Sequence, residues 1–259
     1  MNLFAFYRDV VLGYLGCSTL SDRDVSALSA EAVAIKRSFS RHLPIDYSVE
    51  RARLAYMLYY APKHAIIWRE YVKRRAFVRP DPLNMNSIGT ACGSEIIGLL
   101  EGLGYPVPSQ SAWRCIDIEP GWRSMLEAAR SLYEIRRPCT LECNCVTNLT
   151  ALWPSGFTIG SLVLSEIVKQ NGHRHFRSDV TAAIGPAEGW FLDITRCRQA
   201  DASEPYLSDF YPFGYESLRS TGWDLRAVIN AEIEACTPQW CLDLLTSEPS
   251  MHMFFARFT

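Results

Sequence analysis

The sequence predicts an α/β fold in which an N-terminal helical cap precedes a Rossmann-like sheet of seven strands, the last two forming an antiparallel hairpin. Three observations support this prediction. Residues 1–79 have a helical pattern, and after residue 80 short apolar segments alternate with helical ones. The chain then ends in two apolar segments joined by turn-forming residues. We therefore expect a cap over residues 1–79 and an α/β domain over residues 80–259.

The composition is that of a globular protein. The chain has 259 residues, of which 48% are apolar and 21% charged, and its formal net charge is -2. A strongly basic nucleic-acid-binding protein would have a different balance. Arg8 and Asp9 interrupt the apolar N-terminus, which argues against a secretory signal, and no apolar segment reaches the length of a membrane span. We predict a cytoplasmic protein without membrane association.

Nine cysteines are scattered along the chain, and no two of them form a Cys-x-x-Cys pair. Cys143 and Cys145 are two residues apart, so they share one face if this segment is a strand. No histidine follows at zinc-finger spacing. We predict reduced thiols and no metal site.

The helical cap has recognisable boundaries. Ser21 and Asp22 can cap a helix that continues through Ile35. Pro62 is expected to divide the following segment into two helices, Val49–Ala61 and Lys63–Phe77. The segment Arg79-Pro80-Asp81-Pro82 marks the end of the cap.

The α/β domain is a series of alternating strands and helices. The predicted strands are Asn84–Gly89, Arg114–Ile118, Thr140–Val146, Phe157–Ser161, Trp190–Ile194, Gln239–Thr246 and Met251–Phe258. The predicted helices are Ser94–Gly102, Trp122–Ile135, Leu162–Lys169 and Leu225–Ala235. Residues 196–224 form a long insertion rich in aromatic residues, which favours a functional lid or a protein-partner surface.

A turn rich in small residues connects the first predicted strand to its helix. Gly89, Ala91 and Gly93 let the backbone turn sharply and let a ligand approach closely. The N-terminus of the next helix carries partial positive charge, which suits a carboxylate. An ordinary tight βα loop is the alternative reading.

An acidic residue ends the second predicted strand. Asp117 lies 24 residues after Gly93, where a carboxylate can accept hydrogen bonds from both hydroxyls of a ribose. Glu119 is a rival for this role. A solvated turn carboxylate is the alternative for either residue.

The stretches SIGTACGSEIIGLLEGLG and CIDIEPGW resemble the class I S-adenosylmethionine (SAM) methyltransferases. In their motif, Asp/Glu-x-Gly-x-Gly-x-Gly, Ser87 here replaces the acid and Ala91 the middle glycine. The turn is also similar to a Gly-Pro-Gly-Ser-Asp/Glu version of this motif, found in a subset of methyltransferase-like proteins of which several are tied to ribosomal RNA. The segment FTIGSLVLSEI resembles the fourth strand of that subset and the start of the helix after it. The segment RARLAYMLYYAPKHAIIWREYV resembles its helical lead-in. The resemblance covers about residues 50–195.

This resemblance implies SAM as cofactor and a set of site residues. Glu95 would supply the negative charge that Ser87 lacks, Asp117 would hold the ribose, Trp122 would pack against the adenosine, and Asn144 or Asn148 would bind the adenine amino group. The full predicted cofactor site consists of Ser87, Gly89, Thr90, Ala91, Gly93, Glu95, Asp117, Ile118, Trp122, Asn144 and Asn148.

The sequence indicates two candidate residues for positioning the methyl acceptor. Ser165 and Glu166 border the place of methyl transfer, where they could position a substrate or cap a helix. There is no Asp/Asn-Pro-Pro-Tyr tetrad of the kind that amine-methylating enzymes of nucleic acids use.

Basic residues make RNA the preferred acceptor in this interpretation. The candidates for RNA contact are Lys73, Arg74, Arg75, Arg174 and Arg177, the last two in a loop that also carries aromatic side chains. Solvated charged faces are the alternative. The predicted function is SAM-dependent methyl transfer to RNA. The alternatives are a methyltransferase-like binding or scaffold protein without turnover, and a small-molecule methyltransferase.

Overall fold

A computed structural model describes most of the N-terminal half of the chain and several segments of the C-terminal half. The described residues are 1–41, 43–74, 83–104, 111–137, 139–146, 157–161, 189–195, 215–217, 225–236 and 252–258.

Seven helices and seven strands occur within these ranges. The helices are α1 (Leu3–Leu15), α2 (Asp22–Arg41), α3 (Glu50–Tyr59), α4 (Ala61–Arg74), α5 (Ser94–Leu103), α6 (Trp122–Arg136) and α7 (Leu225–Cys236). The strands are β1 (Leu83–Ile88), β2 (Ser111–Ile116), β3 (Leu141–Val146), β4 (Phe157–Ser161), β5 (Gly189–Thr195), β6 (Tyr215–Ser217) and β7 (His252–Phe258).

The strands form one sheet in the order β3-β2-β1-β4-β5-β7-β6. The pairs β1–β2, β2–β3, β1–β4 and β4–β5 are parallel, whereas β7 runs antiparallel to β5 and β6. The chain reverses its direction of winding between β1 and β4, and ligands of Rossmann-like sheets bind outside the carboxyl ends of the strands at such a point. The parallel part of the sheet is therefore Rossmann-like, as the sequence predicts.

The predicted final hairpin is wrong in its pairing. The sequence predicts that Gln239–Thr246 pairs with Met251–Phe258, but both edges of β7 have other partners. One edge pairs with β5 and the other with β6, which precedes α7 and lies inside the predicted 196–224 insertion. Residues 239–246 and the predicted helix Leu162–Lys169 lie outside the described residues.

The predicted cap of α2 is confirmed, whereas the break between the next two helices lies two residues before Pro62, where the sequence predicts it. The hydroxyl of Ser21 accepts a hydrogen bond of 3.2 Å from the backbone N–H of Asp24, which caps α2. The break between α3 and α4 falls at Tyr60, and Pro62 lies in the first turn of α4, where the absent proline N–H needs no partner. The other predicted elements that lie in described ranges agree with the structure to within a few residues.

Helix α4 packs closely against helix α5. A side chain at Gly98 of α5 would approach the carbonyl oxygen of Ala65 in α4 to 2.3 Å, and one at Gly102 would approach Cβ of Val72 to 2.7 Å. The two glycines therefore allow direct contact between α4 and the backbone of α5. Residues of α1, α3 and α4 share one hydrophobic core with β1, β2, α5 and α6.

Polar contacts also join the N-terminal helices to later elements of the chain. Arg69 of α4 forms an ion pair with Glu232 of α7, and the same glutamate accepts a hydrogen bond of 2.8 Å from the backbone N–H of Leu3. The Trp68 indole donates a buried hydrogen bond of 2.6 Å to Ser161 at the carboxyl end of β4. No described helix combines the length and the apolar character needed to cross a membrane.

Candidate functional site

The turn between β1 and α5 has three residues in the left-handed region. Gly89, Ala91 and Gly93 have φ angles of 65°, 46° and 77°. Ala91 is the single non-glycine residue with positive φ among the described residues, and a side chain there costs conformational energy. At Gly93, a Cβ atom would lie 2.7 Å from Cδ1 of Leu126, so α6 packs directly against this turn.

Asp117 holds this turn against the end of β2. One carboxylate oxygen accepts a hydrogen bond of 2.8 Å from the backbone N–H of Ala91, and the other accepts one of 3.0 Å from the N–H of Glu119. The N–H of Asp117 itself donates to the carbonyl of Val146 at the end of β3. Asp117 thus connects the carboxyl ends of three adjacent strands. Each carboxylate oxygen keeps a second lone pair for a ligand.

Ser87 and Glu95 form a buried pair beneath the turn. The hydroxyl of Ser87 donates a hydrogen bond of 2.5 Å to Oε1 of Glu95, and the hydroxyl of Ser94 donates one of 3.1 Å to Oε2. The side chains of Ser87, Ser94 and Glu95 are buried. The carboxyl of Glu95 therefore lies next to Ser87, the position at which the resemblance leads us to expect an acid.

Burial changes the protonation of both carboxyl groups. It raises the pKa of Glu95 to about 7, although the hydrogen bonds from Ser87 and Ser94 act in the opposite direction. Burial likewise raises the pKa of Asp117 to about 6, against the hydrogen bonds from the backbone at Glu119 and Ala91. The negative charge of Glu119 adds to the rise at Asp117, and that of Asp117 to the rise at Glu95. A cation bound nearby would favour the ionised forms.

A cleft opens at the carboxyl ends of β1, β2 and β3. Its volume is about 120 Å³, and it is partly open to solvent. The residues that line it are Thr90, Ala91, Cys115, Asp117, Glu119, Pro120, Trp122, Arg123, Leu126, Cys145 and Val146. The cleft therefore combines an apolar wall with the Asp117 carboxylate.

Residues that precede β1 support two of the side chains that line this cleft. The Arg53 guanidinium of α3 lies 3.8 Å from a carboxylate oxygen of Glu119, and that oxygen also accepts a hydrogen bond from the N–H of Gly121. Rings of Tyr47 and Tyr56 pack against Trp122, with centroids 5.4 Å and 5.5 Å away. Arg53 thereby fixes Glu119, and the tyrosines fix the indole that forms the cleft wall.

The structure brings most of the predicted cofactor residues together. Ser87, Gly89, Thr90, Ala91, Gly93 and Glu95 form or support the turn, and Asp117 and Trp122 line the cleft. Ile118 follows Asp117 and is 83% exposed. Asn144 is exposed on β3 and is absent from the cleft lining, to which its neighbours Cys145 and Val146 contribute. Asn148, Ser165 and Glu166 lie outside the described residues.

Sequence reasoning missed several residues of the cleft. Cys115 and Cys145 line the cleft from the neighbouring strands β2 and β3, but nothing in the sequence marked either of them as a binding residue. Arg53 supports the cleft residue Glu119 without lining the cleft itself. It was missed because this contact depends on how α3 packs. Within the described residues, no cluster of three or more histidine, cysteine or acidic side chains could hold a metal ion.

No known family model matches the chain, and no curated protein does so either. Several solved structures are similar. An uncharacterized superfamily protein from Burkholderia thailandensis has 13% identity and a TM-score of 0.47, over 93% of this chain and 94% of that one. Geranyl diphosphate C-methyltransferase from Streptomyces coelicolor has 8% identity and a TM-score of 0.41, over 74% and 77%. Precorrin-6y C5,15-methyltransferase from Geobacter metallireducens has 11% identity and a TM-score of 0.37, over 57% and 72%. At these values, the chemistry of the chain has to be derived from the residues of its own site.

Proposed function

We propose that this protein binds SAM in the cleft beside Asp117 and is a SAM-dependent methyltransferase. The observation that carries the proposal is the hydrogen bond between the Asp117 carboxylate and the N–H of Ala91, which places an acceptor for a ribose diol against a glycine-type turn. The strand order and the position of the cleft at the carboxyl ends of the strands support it.

The residues of the cleft suit the three parts of SAM. Trp122, Leu126 and Val146 offer an apolar wall for the adenine, next to the ribose acceptor Asp117. The N-terminus of α5 has no side-chain cap at Gly93, so its backbone dipole is available to the methionine carboxylate. The buried carboxyl of Glu95 would balance the positive charge of the methionine amine.

The chain would assist methyl transfer by alignment. Bound SAM supplies an electrophilic methyl carbon on a sulfonium, which a nucleophile of the acceptor attacks in line. The turn and Asp117 would hold the cofactor at the carboxyl ends of β1 and β2, so that its orientation would be set before the acceptor arrives. Ser165 and Glu166 remain the proposed positioning residues for the acceptor.

We propose RNA as the acceptor class, on the basis of the basic residues in the sequence. Of the five candidates, Lys73 and Arg74 lie in the described residues, where both are exposed at the end of α4 and Lys73 pairs with Glu70. Arg75, Arg174 and Arg177 lie outside the described residues. Replacing Lys73 and Arg74 together by glutamine should lower RNA retention during purification and make it less sensitive to salt. If retention is unchanged, a small-molecule acceptor is favoured.

Calorimetric titration with SAM and with its demethylated product, S-adenosylhomocysteine, tests the proposal. We expect micromolar binding of both, abolished or strongly weakened by Asp117→Ala. Absence of binding to either compound would contradict the enzyme and favour the scaffold alternative, in which the cleft is completed by a partner through the 196–224 insertion. A pull-down experiment would then identify that partner.

A further inference from the structure

Three cysteines lie on one face of two neighbouring strands at the cleft. Cys115 of β2 is directly opposite Cys145 of β3, and Cys143 lies two residues earlier on β3. Side chains two residues apart point to the same face of a sheet, so the three thiols are neighbours. Cys115 and Cys145 line the cleft itself.

The thiols differ in exposure and in protonation. Cys115 is buried, whereas Cys143 and Cys145 are half-buried. A hydrogen bond from the Cys115 thiol lowers the pKa of Cys143, and the positive charge of Arg130 on α6 adds to this effect. The same hydrogen bond and burial raise the pKa of Cys115. The Cys143 thiol is therefore more readily ionised than the Cys115 thiol.

We propose that these cysteines form an oxidisable thiol site in which Cys143 reacts first with a peroxide and then forms a disulfide with Cys115, changing the cleft next to Asp117. The proposal depends on the proposed function only for its effect on SAM affinity.

The chemistry needs one peroxide for each disulfide. The Cys143 thiolate attacks a peroxide oxygen, the O–O bond breaks, and the departing hydroxide takes a proton to become water. The Cys115 sulfur then attacks the sulfenic sulfur of Cys143, the S–O bond breaks, and a second water leaves with the Cys115 proton. The two thiols lose two hydrogen atoms, and the peroxide is reduced.

The sheet can transmit this change to the cofactor site. Cys115 is opposite Cys145, so Cys143 is its diagonal neighbour, and a bond between these two sulfurs would strain the ladder between β2 and β3. Among the described strands β3 lies at one end of the sheet and pairs with β2 alone, so a shift disturbs one ladder. The carbonyl of Val146 at the end of β3 accepts the N–H of Asp117, and a shift of β3 therefore displaces the ribose acceptor.

The experiment treats the reduced full-length protein with hydrogen peroxide, blocks remaining thiols, and maps the peptides by mass spectrometry. We expect a Cys115–Cys143 crosslink, faster hydrogen exchange in the peptide covering residues 115–122, and reversal of both by dithiothreitol. Cys143→Ser should abolish the crosslink. Cys115→Ser should leave a singly oxygenated Cys143. Cys17→Ser, which changes an exposed cysteine outside this site, should behave like the unchanged protein.

Titration with SAM before and after oxidation measures the coupling to the cofactor. We expect oxidation to weaken SAM binding about tenfold, as the loss of one hydrogen bond would. No crosslink at Cys143 under conditions that oxidise Cys17 would overturn the proposal, as would a crosslink that leaves hydrogen exchange at residues 115–122 unchanged. If the reduced protein binds no SAM, the proposed function fails, while the crosslink and the exchange data still decide the thiol site.

Discussion

The hydroxyl of Ser87 and the carboxylate of Glu95 are hydrogen-bonded at 2.5 Å in the interior of the protein. They are eight residues apart in sequence, on β1 and on the first turn of α5. The contact brings an acidic group to the position of Ser87, where the resemblance leads us to expect an acid. The acidic group lies on the following helix, where burial disfavours its negative charge and raises its pKa to about 7.

Neutralising the Asp117 carboxylate should weaken SAM binding. Asp117→Asn keeps the size of the side chain but removes the charge and one acceptor, and hydrogen bonds to charged groups contribute about 1.5–3 kcal/mol. We expect a loss of about tenfold to one-hundredfold in affinity, measured by calorimetry. Glu142→Gln, at an exposed position on β3, is the matched control and should bind normally. Equal affinity in both variants would place the ribose elsewhere.

The ligand-free protein should lose stability as the pH rises from about 4 toward 7. The folded-state pKa values, about 7 for Glu95 and about 6 for Asp117, lie above the ordinary 4.5 and 3.8. Their contributions are complete below the ordinary values and disappear as the pH rises through the folded-state values, with a slope of at most about 1.4 kcal/mol per pH unit for each group.

Urea unfolding across this pH range measures the slope. Glu95→Gln should make the stability less dependent on pH, since the buried group no longer has to ionise in the folded state. The exposed change Glu142→Gln should leave the slope as it is. A slope that is equal in the Glu95→Gln variant and the unchanged protein would show that Glu95 ionises normally.

Two glycine-to-alanine changes should have opposite effects on stability. A Cβ at Gly98 would meet the carbonyl oxygen of Ala65 at 2.3 Å, whereas a Cβ at Gly13 in α1 would meet nothing within 4 Å. We expect Gly98→Ala to destabilise the fold by about 1–3 kcal/mol through overpacking of α4 on α5. Gly13→Ala should stabilise it by about 0.5–1 kcal/mol through helix propensity. Thermal and urea denaturation would reveal the difference, and a neutral Gly98→Ala would mean that α4 packs elsewhere.

The buried hydrogen bond from Trp68 to Ser161 should contribute measurably to docking of the cap. Ser161→Ala leaves the indole N–H without this acceptor, and we expect a loss of about 1–3 kcal/mol in unfolding free energy. Trp68→Phe and the double variant complete a mutant cycle, in which the two losses should not add because the residues share one interaction. Additive losses would show that the bond contributes nothing.

Local signals in the sequence were sufficient to predict the helix starts, the parallel strands and the glycine-type turn. The location of Asp117 at the carboxyl edge of the sheet could be predicted because it depends only on where the second strand ends. The contact of Arg53 with Glu119 could not, since it arises from the packing of two distant segments. Strand β6 was missed because Tyr215-Glu216-Ser217 is too short for an alternating pattern and gains its structure by pairing with β7.

The ion pair between Arg69 and Glu232 has a consequence for the order in which the chain can fold during its synthesis. The first 74 residues leave the ribosome well before residue 232 is made. Until then Arg69 lacks one of its acidic partners, and the N–H of Leu3 lacks the same carboxylate. Until the later elements have been translated, the apolar surfaces of α1 and α4 that pack against them are exposed to water and to chaperones. The contacts of Arg69 and Leu3 with Glu232 can therefore form only after α7 has been translated.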